Sequence, residues 1–259
     1  MGKIILLKNK TVPEDPYDLI FKEHGYQPLF LPLLKHTSVN EGAILEFIKS
    51  EEFLTEYKAL IITSQRCIET LDTILRILRE EGFDKLDGIL NKPSYTVGPA
   101  TSQVLKRLGF TNIRGGDKAG NGSILSDLII DDLLLEADRT KKVLFLTGEI
   151  HKDVIPRKLR LANFSMKELI SYRTEPLEDI ASRYLRILDG VNFREDNWIV
   201  FFSPQGTQNI VEYLKEHRGN FKVASIGPTT EIYLENNQMK AEVVSRKPNA
   251  TELVRSIEE

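Results

Sequence analysis

A unit of apolar strand, small polar turn and helix occurs twice in this chain, and that duplication restricts its fold more than any other feature. Leu60-Ile61-Ile62-Thr63-Ser64 leads into a helical stretch and is followed by Tyr95-Thr96-Val97-Gly98-Pro99-Ala100-Thr101. Val200-Phe201-Phe202-Ser203-Pro204 leads into a second helical stretch and is followed by Ala224-Ser225-Ile226-Gly227-Pro228-Thr229-Thr230. Asn121-Gly122-Ser123 stands 23 positions after Gly98, and Asn249-Ala250-Thr251 stands 22 after Gly227. Lys3-Ile4-Ile5-Leu6-Leu7 and Lys142-Val143-Leu144-Phe145-Leu146 precede the two sets. The spacing describes a duplicated α/β unit with small polar residues wherever a strand hands over to a helix. Spacing alone leaves open whether each half folds contiguously or the halves exchange their first units.

Short β-rich runs alternate with segments of helical period, which is the signature of parallel α/β architecture. Strands are expected near 3–8, 28–33, 59–63, 94–98, 143–147, 167–172, 198–203, 222–226 and 241–245. Helices are expected near 15–25, 41–50, 65–81, 100–109, 123–137, 151–162, 177–188, 205–217, 228–236 and 250–258. In 65–81, Ile68, Leu71, Ile74, Leu75 and Leu78 recur at three- and four-residue steps and make one buried stripe. Trp198-Ile199-Val200-Phe201-Phe202 is apolar throughout, as a strand covered on both faces must be. Loops are expected at 115–120, 138–141 and 192–197, and extended linkers at about 30–37 and 169–175.

With 259 residues the chain suffices for two domains of ordinary size, and the repeat favours two. A net charge of −3 supplies no global field for nucleic acid or an anionic membrane, so a bound anion must be held locally. Cys67 is the only cysteine, which excludes an internal disulfide and a thiolate cluster. It sits in a helical pattern and reads as a small buried hydrophobe; Trp198 reads as core. His24, His36, His151 and His217 are scattered without metal-ligand spacing. No Walker loop, G-x-G-x-x-G turn or H-E-x-x-H pair occurs. No apolar run reaches the roughly 20 residues that span a bilayer. The apolar segment of Met1–Leu7 is too short for a secretory signal, so a cytosolic protein is the simplest reading.

The strand-to-helix junctions at Ser64, Gly98, Asn121, Gly148, Ser203 and Gly227 are the natural places for chemistry. In a parallel sheet they share the carboxyl edge, where helix N-termini present free N–H groups and a favourable dipole to anions. Ser, Thr and Asn also cap helices with no ligand in view, so each junction alone has two readings.

The ordered set of motifs resembles uroporphyrinogen-III synthases. It comprises Thr63-Ser64-Gln65-Arg66, Val97 to Thr101, Gly120-Asn121-Gly122, Gly148 through Pro156, Ser171-Tyr172-Arg173-Thr174, Phe201 to Gly206 and Ile226 to Thr230. The resemblance runs nearly end to end. It implies two flavodoxin-like parallel-sheet domains joined by a two-stranded linker, with the substrate in the cleft between them and a hinge that lets them close. One domain is discontinuous, built from about 1–34 plus 174–259, and the other, about 36–171, is inserted.

The activity implied is cyclisation of hydroxymethylbilane, a linear tetrapyrrole with eight carboxylates, to uroporphyrinogen III. The bilane loses its hydroxyl to give an azafulvene, and ring D inverts through a spiro intermediate. The resemblance implies no cofactor and no metal, a monomer in heme biosynthesis, and possible hand-over of substrate from porphobilinogen deaminase.

By the same resemblance, Thr63, Ser64, Arg66, Gly98, Thr101, Asn121, Gly122, Gly148, Lys152, Ser203, Gly206, Gly227, Thr229 and Thr230 hold substrate. Tyr172 assists departure of the hydroxyl; a packing tyrosine is the alternative reading of that position. Arg66 is either a carboxylate partner or a solvated helix-start residue. His151 and Lys152 are either carboxylate partners or a solvated helix face. Glu149 departs from the neutral residue common in the family and is expected to repel an anion at Gly148. Gln65 stands where many relatives have Pro. The rival from another class is a non-catalytic two-domain cytosolic protein that binds a small anionic ligand.

Overall fold

The computed structural model describes residues 2–11, 14–134, 141–189, 196–217 and 221–259. Its first part runs β1 (Lys3–Leu7), α1 (Pro16–Glu23), β2 (Gln27–Phe30), β3 (Leu34–Ser38), α2 (Glu41–Lys49), α3 (Glu51–Glu56) and β4 (Tyr57–Ile62). The chain continues through α4 (Gln65–Glu80), α5 (Leu86–Leu90), β5 (Ser94–Val97), α6 (Pro99–Arg107), β6 (Ile113–Gly116), α7 (Gly122–Leu134), β7 (Lys142–Gly148) and α8 (Val154–Leu161). It ends with β8 (Ser165–Pro176), α9 (Ile180–Leu188), β9 (Trp198–Phe201), α10 (Gln208–His217), β10 (Lys222–Ser225), α11 (Pro228–Asn236), β11 (Val243–Val244) and α12 (Ala250–Glu258). Two units form: a discontinuous one from Met1–Lys35 and Glu175–Glu259, and an inserted one, His36–Thr174.

The discontinuous unit has a five-stranded sheet in the order β11-β10-β9-β1-β2. The inserted unit's sheet runs β3-β8-β7-β4-β5-β6. Apart from β3 on an edge, the two orders are the same once β7 is set against β1 and β4 against β9. In the discontinuous unit this is the 2-1-3-4-5 order of flavodoxin-like folds; the inserted unit has the same spatial arrangement, but its chain enters at β4, the third place, and reaches the first and second places last, with β7 and β8. β1 and β2 belong to the first sequence repeat yet share a sheet with β9 to β11 of the second, while β7 and β8 make the reverse journey. The repeats therefore trade their leading strands, which settles what spacing left open.

Pairing is parallel from β1 to β2 and β9, from β10 to β9 and β11, and from β4 to β5 and β7. Because a strand alternates its faces, β1 feeds Ile5 and Leu7 to one layer and Ile4 and Leu6 to the other. The first layer meets α9 and α10 through Ile180, Tyr184, Ile210 and Leu214; the second meets α1 and α12 through Phe21 and Leu253. β4 divides in the same way, Leu60 and Ile62 facing α4 while Ala59 and Ile61 face α7 and α8. Both faces are covered, which is why these strands lack polar alternation. In α4 the stripe Ile68, Leu71, Ile74, Leu75 and Leu78 is buried, with Cys67 beside it and Trp198 in the opposite unit's core.

Several expectations need correction. Residues 113–116 form strand β6, paired with β5, so the loop expected from 115 begins only after Gly116. β3 and the short helices α3 and α5 were not foreseen. Helix α8 begins at Val154 rather than 151, α9 at Ile180 rather than 177, and α10 at Gln208 rather than 205. Residues 135–137 of the expected helix, and 138–140 and 192–195 of two expected loops, lie outside the described residues.

Candidate active site

In the inserted unit a cavity of about 480 Å³ opens at the carboxyl ends of β4, β5 and β7. This is the place where the strand order changes direction, the usual ligand position in open parallel sheets. Val97, Phe145, Val154 and Ile155 give it an apolar lining, while Thr63, Asn121, Gly122, Ser123, His151 and Lys152 bring polar groups. Gly122 lies against Ile155, where a Cβ would come within 3.1 Å of Cγ1.

Accounting for each backbone donor changes what the junctions can offer. Asn121 is a cap, its Oδ1 accepting from the Ser123 and Ile124 amides at 2.9 and 3.0 Å. Ser64 caps α4, its Oγ accepting from the Arg66 amide at 3.2 Å. The Gly98 N–H donates to the Gly116 and Ala119 carbonyls, and the Gly227 N–H donates to Ser225 Oγ. The expected ring of free amides at these four residues is therefore mostly occupied by the fold itself. Among the described residues, the first-turn amides of Ala100 and Thr101 in α6, Gly122 in α7 and Thr229 in α11 retain no protein acceptor.

Tyr172 is seated by a glycine. The β7–β8 register sets Gly148 opposite Tyr172, and a Cβ on Gly148 would fall 2.5 Å from Cζ and 2.7 Å from the hydroxyl. Any other residue here would push the phenol away. The hydroxyl itself has no hydrogen-bond partner among the described residues. The His36 ring meets Tyr172 edge to face at a centroid distance of 5.9 Å.

The charges nearby are largely committed. His151 sets Nδ1 against the Gly148 carbonyl at 2.9 Å and Nε2 against Glu168 at 3.0 Å, so it is structural. Glu149 is bound by Arg173 at 2.8 Å, and its carboxylate is locally compensated rather than bare. Arg66 pairs with Glu69 at 2.6 Å on α4. Lys152 is exposed at the cavity and has no carboxylate partner among the described residues. Burial pushes the Cys67 thiol up to about 11, and its Sγ–H faces the Leu146 carbonyl. No group of three or more His, Cys, Asp or Glu is placed to hold a metal among the described residues.

The discontinuous unit has a smaller cavity, about 300 Å³, at the ends of β9 to β11. Phe202, Gly227, Pro228, Thr229, Thr230 and Arg246 line it, with Arg246 paired to Glu259 at 2.8 Å. Thr230 is buried, and its amide turns back to the Gly227 carbonyl. The helix expected from 205 begins at Gln208, so Ser203 and Gly206 lie in the turn ahead of α10. Thr207 closes that turn by donating its hydroxyl to the Pro204 carbonyl. Gly206 has φ +78°, and a Cβ there would lie 2.8 Å from Leu34, so its bareness serves packing.

Sequence reasoning missed Lys8. Its ammonium pairs with Asp15 and lies 5.2–5.8 Å from the ring centres of Tyr17, Phe30 and Phe202. A lysine directly after the first apolar strand was a visible signal.

Doubly wound parallel sheets with polar-rimmed cavities at their carboxyl edges define an α/β protein built to bind a small ligand. A family model described as Uroporphyrinogen-III synthase HemD matches residues 15–255, and the chain belongs to that family. It is 41% identical to the uroporphyrinogen-III synthase of Saccharomyces cerevisiae over 99% of this chain and 95% of that one. The Schizosaccharomyces pombe synthase is 36% identical over 99% and 96%. The crystal structure of uroporphyrinogen-III synthetase from Helicobacter pylori shares the fold with a TM-score of 0.59, at 19% identity over 98% and 97% of the two chains. No described helix is long and apolar enough to cross a membrane.

Proposed function

We propose that this chain is a uroporphyrinogen-III synthase, a lyase that closes linear hydroxymethylbilane to uroporphyrinogen III in heme biosynthesis. The full-length likeness to the yeast synthase carries this reading. The bilane C–O bond breaks, its hydroxyl leaves as water after gaining a proton, and the resulting azafulvene carbon is attacked by the substituted carbon of ring D. Fragmentation and reclosure invert that ring. Uncatalysed closure gives the isomer without inversion, so the protein's task is to fix a conformation as well as to help water leave.

On this reading the inserted unit supplies both parts. The apolar floor of Val97, Phe145 and Ile155 takes a pyrrole ring, and Lys152, Thr63 and the Gly122 amide take its carboxylates. Tyr172, with an uncommitted hydroxyl lying over Gly148, hydrogen-bonds the departing hydroxyl. In the discontinuous unit Thr229 and Thr230 offer one open amide and a hydroxyl to another side chain of the substrate. Thr101 adds a further open amide, while Ser64, Gly98, Gly227 and Asn121 act by shaping their turns. We further propose that the protein works in the cytosol as a monomer and accepts its substrate from porphobilinogen deaminase.

A coupled assay with porphobilinogen deaminase and porphobilinogen tests the activity. Predominantly type III porphyrin after oxidation and chromatography is the expected result. Type I porphyrin alone would overturn the synthase reading and leave a binding protein.

A further inference from the structure

Tyr172 carries the one reactive hydroxyl proposed for the reaction, yet no hydrogen bond fixes it. Its direction is set by ring packing: Gly148 beneath, the buried apolar core around α4 behind, and the imidazole of His36 at its side. His36 is itself held. Its Nδ1 lies 3.0 Å from Thr174 Oγ1, two residues along β8 from Tyr172 and on the same face. Its Nε2 has no partner among the described residues. The strands that carry the pair are anchored to α4, where the Thr70 hydroxyl reaches both Ser38 on β3 and the Ser171 carbonyl on β8.

We propose that His36 is a positioning residue for the reaction: held by Thr174, it sets the Tyr172 phenol over Gly148 and keeps it there during loss of the substrate hydroxyl. The inference rests on the reading of Tyr172 as the assisting group.

The groups that bear on His36 are Arg66 and Glu69 of α4 and Tyr172 of β8. On its own strand, Lys35 is turned to Glu178. Burial pushes the imidazole below its ordinary value; Arg66 adds to that shift and Glu69 opposes it. His36 is thus neutral at neutral pH. Below its lowered value it becomes a cation beside Arg66, and the edge contact with Tyr172 is disturbed.

The experiment uses the full chain with hydroxymethylbilane supplied directly, and compares His36→Ala, His36→Phe, Tyr172→Phe and the double variant Tyr172→Phe/His36→Ala. His36→Ala should lower kcat about tenfold with KM changed less than about twofold, since a small misplacement acts on the chemical step. His36→Phe keeps a ring edge and should regain most of kcat at neutral pH. It should also lack the fall in kcat that the parent protein shows at acid pH, which sets in below the ordinary histidine value because the His36 value is lowered. The double variant should be no slower than Tyr172→Phe alone.

Equal kcat in His36→Ala and the parent, or an effect that multiplies fully with a slow Tyr172→Phe, would overturn the positioning role and leave Tyr172 in place. A Tyr172→Phe enzyme at the parent rate would remove the tyrosine from the mechanism and this inference with it.

Discussion

At the carboxyl end of β7 a glycine lies beneath a tyrosine ring, and a cavity of about 480 Å³ that neither residue lines opens at the ends of β4, β5 and β7. At the carboxyl end of β1, the matching strand of the other unit, Lys8 occupies the space among Tyr17, Phe30 and Phe202, locked to Asp15. There the cavity is displaced toward β9–β11 and is smaller. One topology thus leaves its switch point open in one copy and plugs it in the other.

The sharpest way to break this contrast is at the glycines. Gly148→Val should reduce turnover about a hundredfold or more, because its side chain must take space the Tyr172 ring now fills. Gly227→Ala should remain near the parent rate, since nothing lies within 4 Å of a Cβ there and its φ of 171° is ordinary extended backbone. A tolerant Gly148 in steady-state assays would erase the difference between the units.

The plug comes next. Burial pushes the Asp15 carboxyl up, but the Lys8 ammonium and the amides of Thr11 and Tyr17 outweigh it and hold it below the usual carboxylate value. A carboxyl depressed in the folded state stabilises the protein above its unfolded value, about 3.9, and that contribution is lost as pH falls through the folded value. Asp15→Asn should therefore cost about 2 kcal/mol near neutrality, less than for a fully buried pair because Lys8 is 19% exposed. In urea titrations the gap between parent and variant should narrow below about pH 4. A gap independent of pH would mean that Asp15 acts through shape alone.

Smaller effects separate the cations. Lys152→Gln should raise KM about three- to fivefold with kcat little changed, since an exposed ion pair is worth up to about 1 kcal/mol. Arg246→Gln, already engaged by Glu259, should raise it less. Smallest in kinetics are the caps: Ser64→Ala and Asn249→Ala should each lose about 1 kcal/mol in thermal or urea unfolding and leave KM unchanged. A KM rise in Ser64→Ala would return that hydroxyl to the substrate.

The strands that were easiest to read are those buried on both faces, such as β4 and β9, where apolar runs admit no other element. β6 was hidden because Gly115 and Gly116 look like a loop. Gly115 is required there by the Thr96 carbonyl, which a Cβ would meet at 2.3 Å. β3 was hidden because Lys35, His36, Thr37 and Ser38 are polar and lie on an edge, the last three exposed. At the site, Gly148 and Tyr172 were legible through the family's motifs. The contact of His36 with Tyr172 was not, since its partner Thr174 is 138 positions away and no local pattern joins them. Nor could the junctions reveal which amides the fold would use for itself, because capping and anion binding call for the same residue types.

The traded strands have a further consequence for how such a chain can be cut. A fragment ending at Leu134 carries β1 and β2 without β9 to β11, and β4 to β6 without β7 and β8; the fragment from Lys141 onward holds what is missing from both. Neither piece can close a sheet by itself, yet together they contain two complete sets, so co-expressed fragments should complement each other where separate ones remain unfolded. Fusion of two copies of a swapped ancestor would yield this connectivity directly.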